Sequence, residues 1–197
     1  MNEAVKQQIL RVAKAVGYDK THLTRAVAYR EIDAWLDRVG GENLDALEIS
    51  AGWKWRERAW RSYTEMNWPD HDICVAPLDR QFDVVIADNV WEHLPYPSRA
   101  ARHVDQMLRS GGWFVNITPF MIRRHDVPLD CSRWTEMGMR YFLEEAGFDP
   151  ARITTGSWGN AAAVKANLFS WSRVGWRRRF VNDSRFPLTV WAIAQKA

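Results

Sequence analysis

The sequence predicts an α/β protein built on a doubly wound, mainly parallel sheet, with helices on both faces and an antiparallel last strand. Three observations carry that prediction. Strand-like and helix-like segments alternate along most of the 197 residues, the order that makes parallel sheets. Phe82, Val84, Val85, Ile86 and Ala87 form an apolar run broken only by Asp83, as expected of a strand covered on both faces. That run leads into Ala101, Val104, Met107 and Leu108 at helical spacing, and then into a second strand, Trp113 to Ile117. Strand, helix and strand within about forty residues make a right-handed crossover unit. Ligands of such sheets bind beyond the carboxyl ends of the strands. Those ends carry Asp88-Asn89-Val90-Trp91-Glu92-His93 and Thr118-Pro119-Phe120.

The remaining elements follow in chain order. Val5, Ile9, Val12 and Ala13 predict an amphipathic helix over residues 3–16. Thr24 is expected to cap a second helix running to Val39, with Val27, Ala28, Ile32, Trp35 and Leu36 on one side and Gly40-Gly41 as its stop. Leu44 to Ile49 is a first strand, Trp55 to Arg61 a short basic helix-like piece, Ser62 to Asn67 a second strand and His71 to Val75 a brief third. Pro95 and Pro97 delay the crossover helix, Ser98 is its expected N-cap and Gly111-Gly112 its stop. Thr135 caps a helix over Glu136 to Ala146 that ends at Gly147. Ile153 to Thr155 is a strand, residues 160–169 are helical, 171–186 are irregular and basic, and Leu188 to Ala194 is the last strand. The whole is expected to be one domain: N-terminal helices over 1–41, a core over 42–157, and a lid with the last strand over 158–197.

Composition narrows the function classes. A hydrophobic share of 47% fits a globular protein rather than a disordered one. No apolar run approaches the roughly 20 residues of a membrane span, and scattered charge near the start argues against a secretory leader. Cys74 and Cys131 stand far apart with no CxxC, which points to a reducing cytoplasm and leads us to expect no metal site. A net charge of +3 does not call for a nucleic-acid partner.

Four motifs in order resemble the class I S-adenosylmethionine-dependent methyltransferases, in particular the compact type-11-like branch. LDALEI with Glu48, followed by a turn containing Gly52, is similar to the family's first motif. FDVVIADNVWEHL is similar to its fourth-strand motif, MLRSGG to the helix end written L-x-P-G-G, and RWTEMGMRYFLEEAGF to the helix closed by Gly-Phe. Together they span about Leu44 to Phe148. The resemblance implies a Rossmann-like fold and S-adenosyl-L-methionine as cofactor. Carried over residue by residue, it implies cofactor contacts at Glu48, Ser50 and Gly52 in the first turn and at Glu65 or Asn67 in the second strand, with Asn67 nearer the strand's end. It places Asp72 and Ile73 beside the adenine, and Asn89 and Val90 beside the methionine part. The sequence departs from the family pattern at the first motif, where Ser50, Gly52 and Lys54 stand at the three glycine positions. G-x-G-x-x-G is missing, which disfavours a dinucleotide oxidoreductase.

Methyl transfer to a hydroxyl profits from a general base, and histidine is tuned for that near neutral pH. His125, with Asp126 and Asp130 close enough in sequence to orient it, is the first candidate; His93 is the second. His22, His71 and His103 read as ordinary surface or loop residues. Glu92 reads as a carboxylate serving free amides at a helix start. Arg123 and Arg133 suit an anionic substrate group or a local ion pair. Trp35, Trp113 and Trp191 read as core, whereas Trp53, Trp55, Trp68, Trp91 and Trp134 read as an aromatic cluster at the ligand end. The run WSRVGWRRRF over Trp171 to Phe180 reads as a lid, with phosphate, RNA or an acidic membrane surface as the other readings. The sequence therefore leads to an O-methyltransferase of a small-molecule or glycan hydroxyl, possible as a homodimer. The competing readings are a catalytically weak partner subunit and, less favoured, a nucleic-acid methyltransferase.

Overall fold

The computed structural model describes residues 18–176 and 180–197. The helix expected over residues 3–16 and the Arg177-Arg178-Arg179 run lie outside the described residues. The elements, in order, are β1 (Asp19–His22), α1 (Leu23–Val39), β2 (Asp45–Ile49), β3 (Ser62–Met66), β4 (Phe82–Asp88), α2 (Pro97–Met107), β5 (Leu108–Pro119), α3 (Glu136–Glu145), β6 (Ile153–Trp158), α4 (Ala161–Phe169), β7 (Arg173–Gly175) and β8 (Thr189–Gln195).

The main sheet has six strands in the order β3-β2-β4-β5-β8-β6. β2, β3, β4 and β5 run parallel, and β8 is antiparallel to both β5 and β6. Side chains alternate across the central strands, as the pleat requires. Ala46, Val84, Ile86, Val115 and Ile117 face Ala28, Tyr29, Ile32 and Leu36 of α1. Leu47, Val85, Ala87 and Phe114 face the opposite layer, which holds Ala101, Val104 and Met107 of α2 and Met139, Phe142 and Leu143 of α3. Phe82 and Val84 to Ala87 are fully buried, so the apolar run is the spine of both cores.

Several boundaries differ from the sequence reading. Thr24 does not cap α1; His22 holds that position and makes no side-chain cap bond, while Gly40 closes the helix in the left-handed conformation at φ 71°. Pro97 occupies the first turn of α2, so its cap is Tyr96 rather than Ser98. The helix ends at Met107, and Gly111-Gly112 lies inside β5 as a bulge. There Gly112 has no room for a Cβ, which would sit 2.9 Å from the Arg109 carbonyl. Trp55 to Arg61 and His71 to Val75 are turns rather than helix and strand. Thr135 caps α3 as expected, accepting from the Gly138 amide.

A second, two-stranded sheet was not legible in the sequence. β1 pairs antiparallel with β7, Asp19 opposite Gly175 and His22 opposite Arg173, and the Leu23 amide donates to the Ser172 carbonyl at 2.9 Å. This ribbon holds His22 against Trp171, ring centroids 6.2 Å apart.

Candidate active site

The first turn of the site follows β2. Glu48 is buried and accepts from the Gly52 amide at 2.8 Å and from the Tyr63 hydroxyl. Burial raises its pKa above the usual carboxylate value against those two hydrogen bonds. Asn67, just past β3, accepts from the Ala51 amide at 2.8 Å, tying the turn to the neighbouring strand. The left-handed residue here is Ser50, at φ 54°. A Cβ on Gly52 would meet nothing nearer than Glu48 Oε1 at 3.6 Å. A non-glycine residue in this region costs about 1–2 kcal/mol. Ser50→Gly is therefore expected to stabilise the fold by about 0.5–1 kcal/mol, after the larger unfolded-state entropy of glycine is discounted. A urea midpoint that stays put or falls would contradict this.

The second turn follows β4. Asp88 accepts from Tyr29, from Arg25 Nε at 3.1 Å and from Asn89 Nδ2 at 2.7 Å. Burial and the Asp88 carboxylate both keep the Tyr29 phenol protonated. Asn89 takes the left-handed conformation at φ 54°, with its amide donating to the Ile117 carbonyl at 2.8 Å. α1 thus clamps the end of β4 from the opposite face of the sheet.

Between these turns lies a cavity of about 510 Å³, within the usual range for small-ligand sites. Its walls include Ser50, Asp72, Ile73, Asn89 and Val90, five of the eight residues expected to contact cofactor. Glu48, Gly52 and Asn67 do not line it; they build and brace the turn that forms its wall. Asp72 Oδ1 accepts from the Cys74 amide at 2.8 Å, fixing the carboxylate at the rim. Trp68, His71, Leu94 and the Val127-Pro128-Leu129 stretch also line the cavity. Sequence reasoning missed these, except Trp68, because they come from loops that carry no periodic signal.

A second chamber of about 320 Å³ adjoins the first, and the two share Asn89, His93 and Val127. Its other walls include His22, Arg25, Glu92, His125 and Trp171. Both candidate bases face it, with ring centroids 4.9 Å apart. His125 also meets Trp171 edge-on at 5.3 Å. Burial, and next His93, lower the pKa of His125, so its imidazole is neutral near pH 7. Its Nε2 is buried and has no hydrogen-bond partner. Asp130 reaches the backbone of His125 rather than its ring, accepting from the amide at 2.9 Å, and Asp126 pairs with Arg124. The expectation that these carboxylates orient the imidazole is thereby corrected.

Other expectations also change. His22, read as surface, lines the chamber, and its pKa is lowered by burial and then by Arg25 and Arg173. Glu92 caps nothing: its carboxylate is fully buried and neither oxygen has a hydrogen-bond partner. Burial pushes its pKa up to about 8. Trp55 and Trp91 are fully buried core residues rather than members of a ligand cluster. Trp53 and Trp68 are exposed, and Trp134 packs on the core beside Phe142. Arg133 is held by Asp130, and Arg123 stacks on Trp171 at 4.7 Å. No helix among the described residues is long and apolar enough to cross a membrane.

Comparison with known proteins places this geometry. Residues 29–116 match the family described as a methyltransferase domain. No curated protein sequence matches the chain. The fold is shared with an S-adenosylmethionine-dependent methyltransferase from Mesorhizobium loti, at 17% identity and TM-score 0.58, covering 88% of this chain and 98% of that one. It is shared with one from Archaeoglobus fulgidus, at 13% identity and TM-score 0.54, covering 85% and 94%. It is shared too with magnesium protoporphyrin IX methyltransferase from Synechocystis with bound cofactor, at 15% identity and TM-score 0.53, covering 89% and 81%.

Proposed function

We propose that the chain is a class I S-adenosylmethionine-dependent methyltransferase that methylates a hydroxyl of a small molecule or glycan, a reading supported by its fold and by the methyltransferase-domain match over residues 29–116. The cofactor would lie in the larger cavity, with Asp72 and Ile73 beside the adenine and Ser50, Asn89 and Val90 beside the methionine part. The fit rests on the volume of about 510 Å³ whose walls include both left-handed residues, Ser50 and Asn89. Bound there, S-adenosylmethionine supplies an electrophilic methyl group on a sulfonium. Asn89, His93 and Val127 line both cavities, and Trp171 lines the smaller one. The acceptor would occupy the smaller chamber, where the His125 Nε2 lone pair takes the hydroxyl proton.

The observation that carries this reading is the buried, unpartnered Nε2 of His125, a residue lining a chamber that shares Asn89, His93 and Val127 with the larger cavity. Two adjacent cavities with shared walls favour catalysis over a non-catalytic partner subunit. Calorimetric titration with S-adenosylhomocysteine is expected to show one site of micromolar affinity. Incubation with methyl-labelled cofactor and a panel of phenols, sugars, amines and activated carbon acids is expected to label oxygen. Absence of homocysteine-nucleoside binding would remove the enzyme assignment, and label on nitrogen or carbon would remove the hydroxyl acceptor.

A further inference from the structure

The sequence reading expected no metal site, yet the fold assembles one set of donors from two loops. Glu92 and His93 follow β4, and His125 lies in the loop after β5, so the three are brought together only by the parallel pairing of those strands. Their ligand atoms all lie within 4.8 Å of one another, and this is the one such group among the described residues. Glu92 Oε1 is 3.6 Å from His93 Nε2 and 4.0 Å from His125 Nε2. Donors sharing one ion lie at most about twice the ~2.1 Å bond length apart; both Glu92 distances meet that limit, and the two imidazole donors lie within 4.8 Å of each other.

The local partners are arranged as a cation requires. The Glu92 carboxylate is completely buried and receives no hydrogen bond at either oxygen, an unfavourable state for a polar group unless a ligand satisfies it. The nearby guanidiniums do not supply the missing partner: Arg25 pairs with Asp88 and Arg133 with Asp130. His93 Nδ1 faces the Leu129 carbonyl, which fixes the proton on that nitrogen and leaves Nε2 as a free lone pair toward Glu92. A metal-bound histidine is held in the same way by an outer backbone acceptor. His125 Nε2 is buried and unpartnered. Three donors thus lie together on the wall of the smaller chamber, which all three line.

We propose that Glu92, His93 and His125 bind one divalent transition-metal ion, whose remaining coordination positions face the chamber and take an oxygen of the acceptor. Two imidazoles and one carboxylate suit Zn²⁺, Co²⁺, Fe²⁺ or Mn²⁺, whereas Mg²⁺ and Ca²⁺ prefer all-oxygen sets. The acceptor class narrows to molecules with a chelating oxygen, such as a phenol or hydroxyl beside a second oxygen. The role of the ion toward the acceptor rests on the function proposed above; the ion site itself does not. With the ion bound, His125 is a ligand, and the acidity of a coordinated hydroxyl, which loses its proton to water, replaces removal of that proton by the imidazole.

The site is tested on the full chain after dialysis against a chelator. Titration with Zn²⁺ followed by calorimetry, and with Co²⁺ followed by its visible absorption, is expected to show one ion per chain at micromolar or lower concentration. Excess Mg²⁺ is expected not to compete. Glu92→Gln and His125→Ala are expected to weaken Zn²⁺ by about 100-fold or more, beyond the 10–100-fold cost of losing an outer partner. Their S-adenosylhomocysteine affinity and circular dichroism are expected to match the parent, which shows that they fold. Millimolar binding, or binding that survives both substitutions, overturns the site. If the ion binds but no hydroxyl acceptor is methylated, the acceptor reading falls and the site stands. If no ion binds and the chelator-treated protein is fully active, the metal falls and the histidine base stands.

Discussion

His125→Gln is expected to lower turnover by about 10²–10⁴-fold, the range of general-base catalysis, while S-adenosylhomocysteine binds as in the parent. That loss corresponds to about 2.7–5.4 kcal/mol of barrier. The larger cavity, where the cofactor is proposed to bind, is bounded by Ser50, Ile73, Asn89 and Val90, and His125 is not among its walls, so cofactor affinity gives an independent check on folding. Glutamine keeps a polar side chain near Arg123, Trp171 and His93 but cannot accept a proton near neutral pH. Its amide is also a poor substitute for imidazole on a transition metal, so the same loss follows if the residue acts as ligand. Single-turnover measurement with saturating cofactor separates chemistry from acceptor binding. Parental turnover in a variant that still binds cofactor would remove His125 from the mechanism under either role.

Gly159→Ala is expected to be the most damaging small substitution for stability. Gly159 follows β6, where the chain passes directly beneath the segment that enters β8. A Cβ there would sit 2.0 Å from the Phe186 carbonyl oxygen and 2.3 Å from the Leu188 nitrogen. Both are backbone atoms, so no side-chain rotation relieves the clash. Backbone separation would strain the bonds from the Leu188 amide to the Trp158 carbonyl, from the Asp183 amide to the Gly159 carbonyl, and from the Gly159 amide to Asn182 Oδ1, at 2.8, 2.7 and 2.9 Å. Overpacking of about 1–3 kcal/mol and weakening of three bonds at about 1 kcal/mol each give a loss of about 4–6 kcal/mol. For a chain of this size that lowers Tm by about 8–24 °C, measured by circular dichroism. A change of less than about 2 °C would show that the loop yields without cost.

The two substitutions also separate the parts of the molecule that the sequence announces from those it conceals. Glycine at 159 left no mark in the sequence, because its constraint comes from residues 183–188 crossing it, nearly 30 positions away. The strand Phe82–Asp88, the crossover to β5 and the capped helix at Thr135 were legible because apolar periodicity and capping are local. The candidate bases His93 and His125 were legible by their place after strand ends. Glu92 was misread because its surroundings come from the loop after β5, whose Cys131 and Ser132 amides donate to its carbonyl and whose His125 approaches its carboxylate, and nothing near residue 92 encodes them. Trp55 and Trp91 were misread for the same reason: a tryptophan after a strand looks alike whether it turns to solvent or inward.

By itself the sequence determined the α/β class and the order of the parallel strands' elements, since each depends on spacing within a few dozen residues. Only the tertiary structure decided that Ser50 rather than Gly52 takes the left-handed turn, that β1 and β7 pair to hold His22 against Trp171, and that Glu92, His93 and His125 meet. Those are long-range outcomes of packing two faces on one sheet, where a side chain's surroundings come from segments far away along the chain.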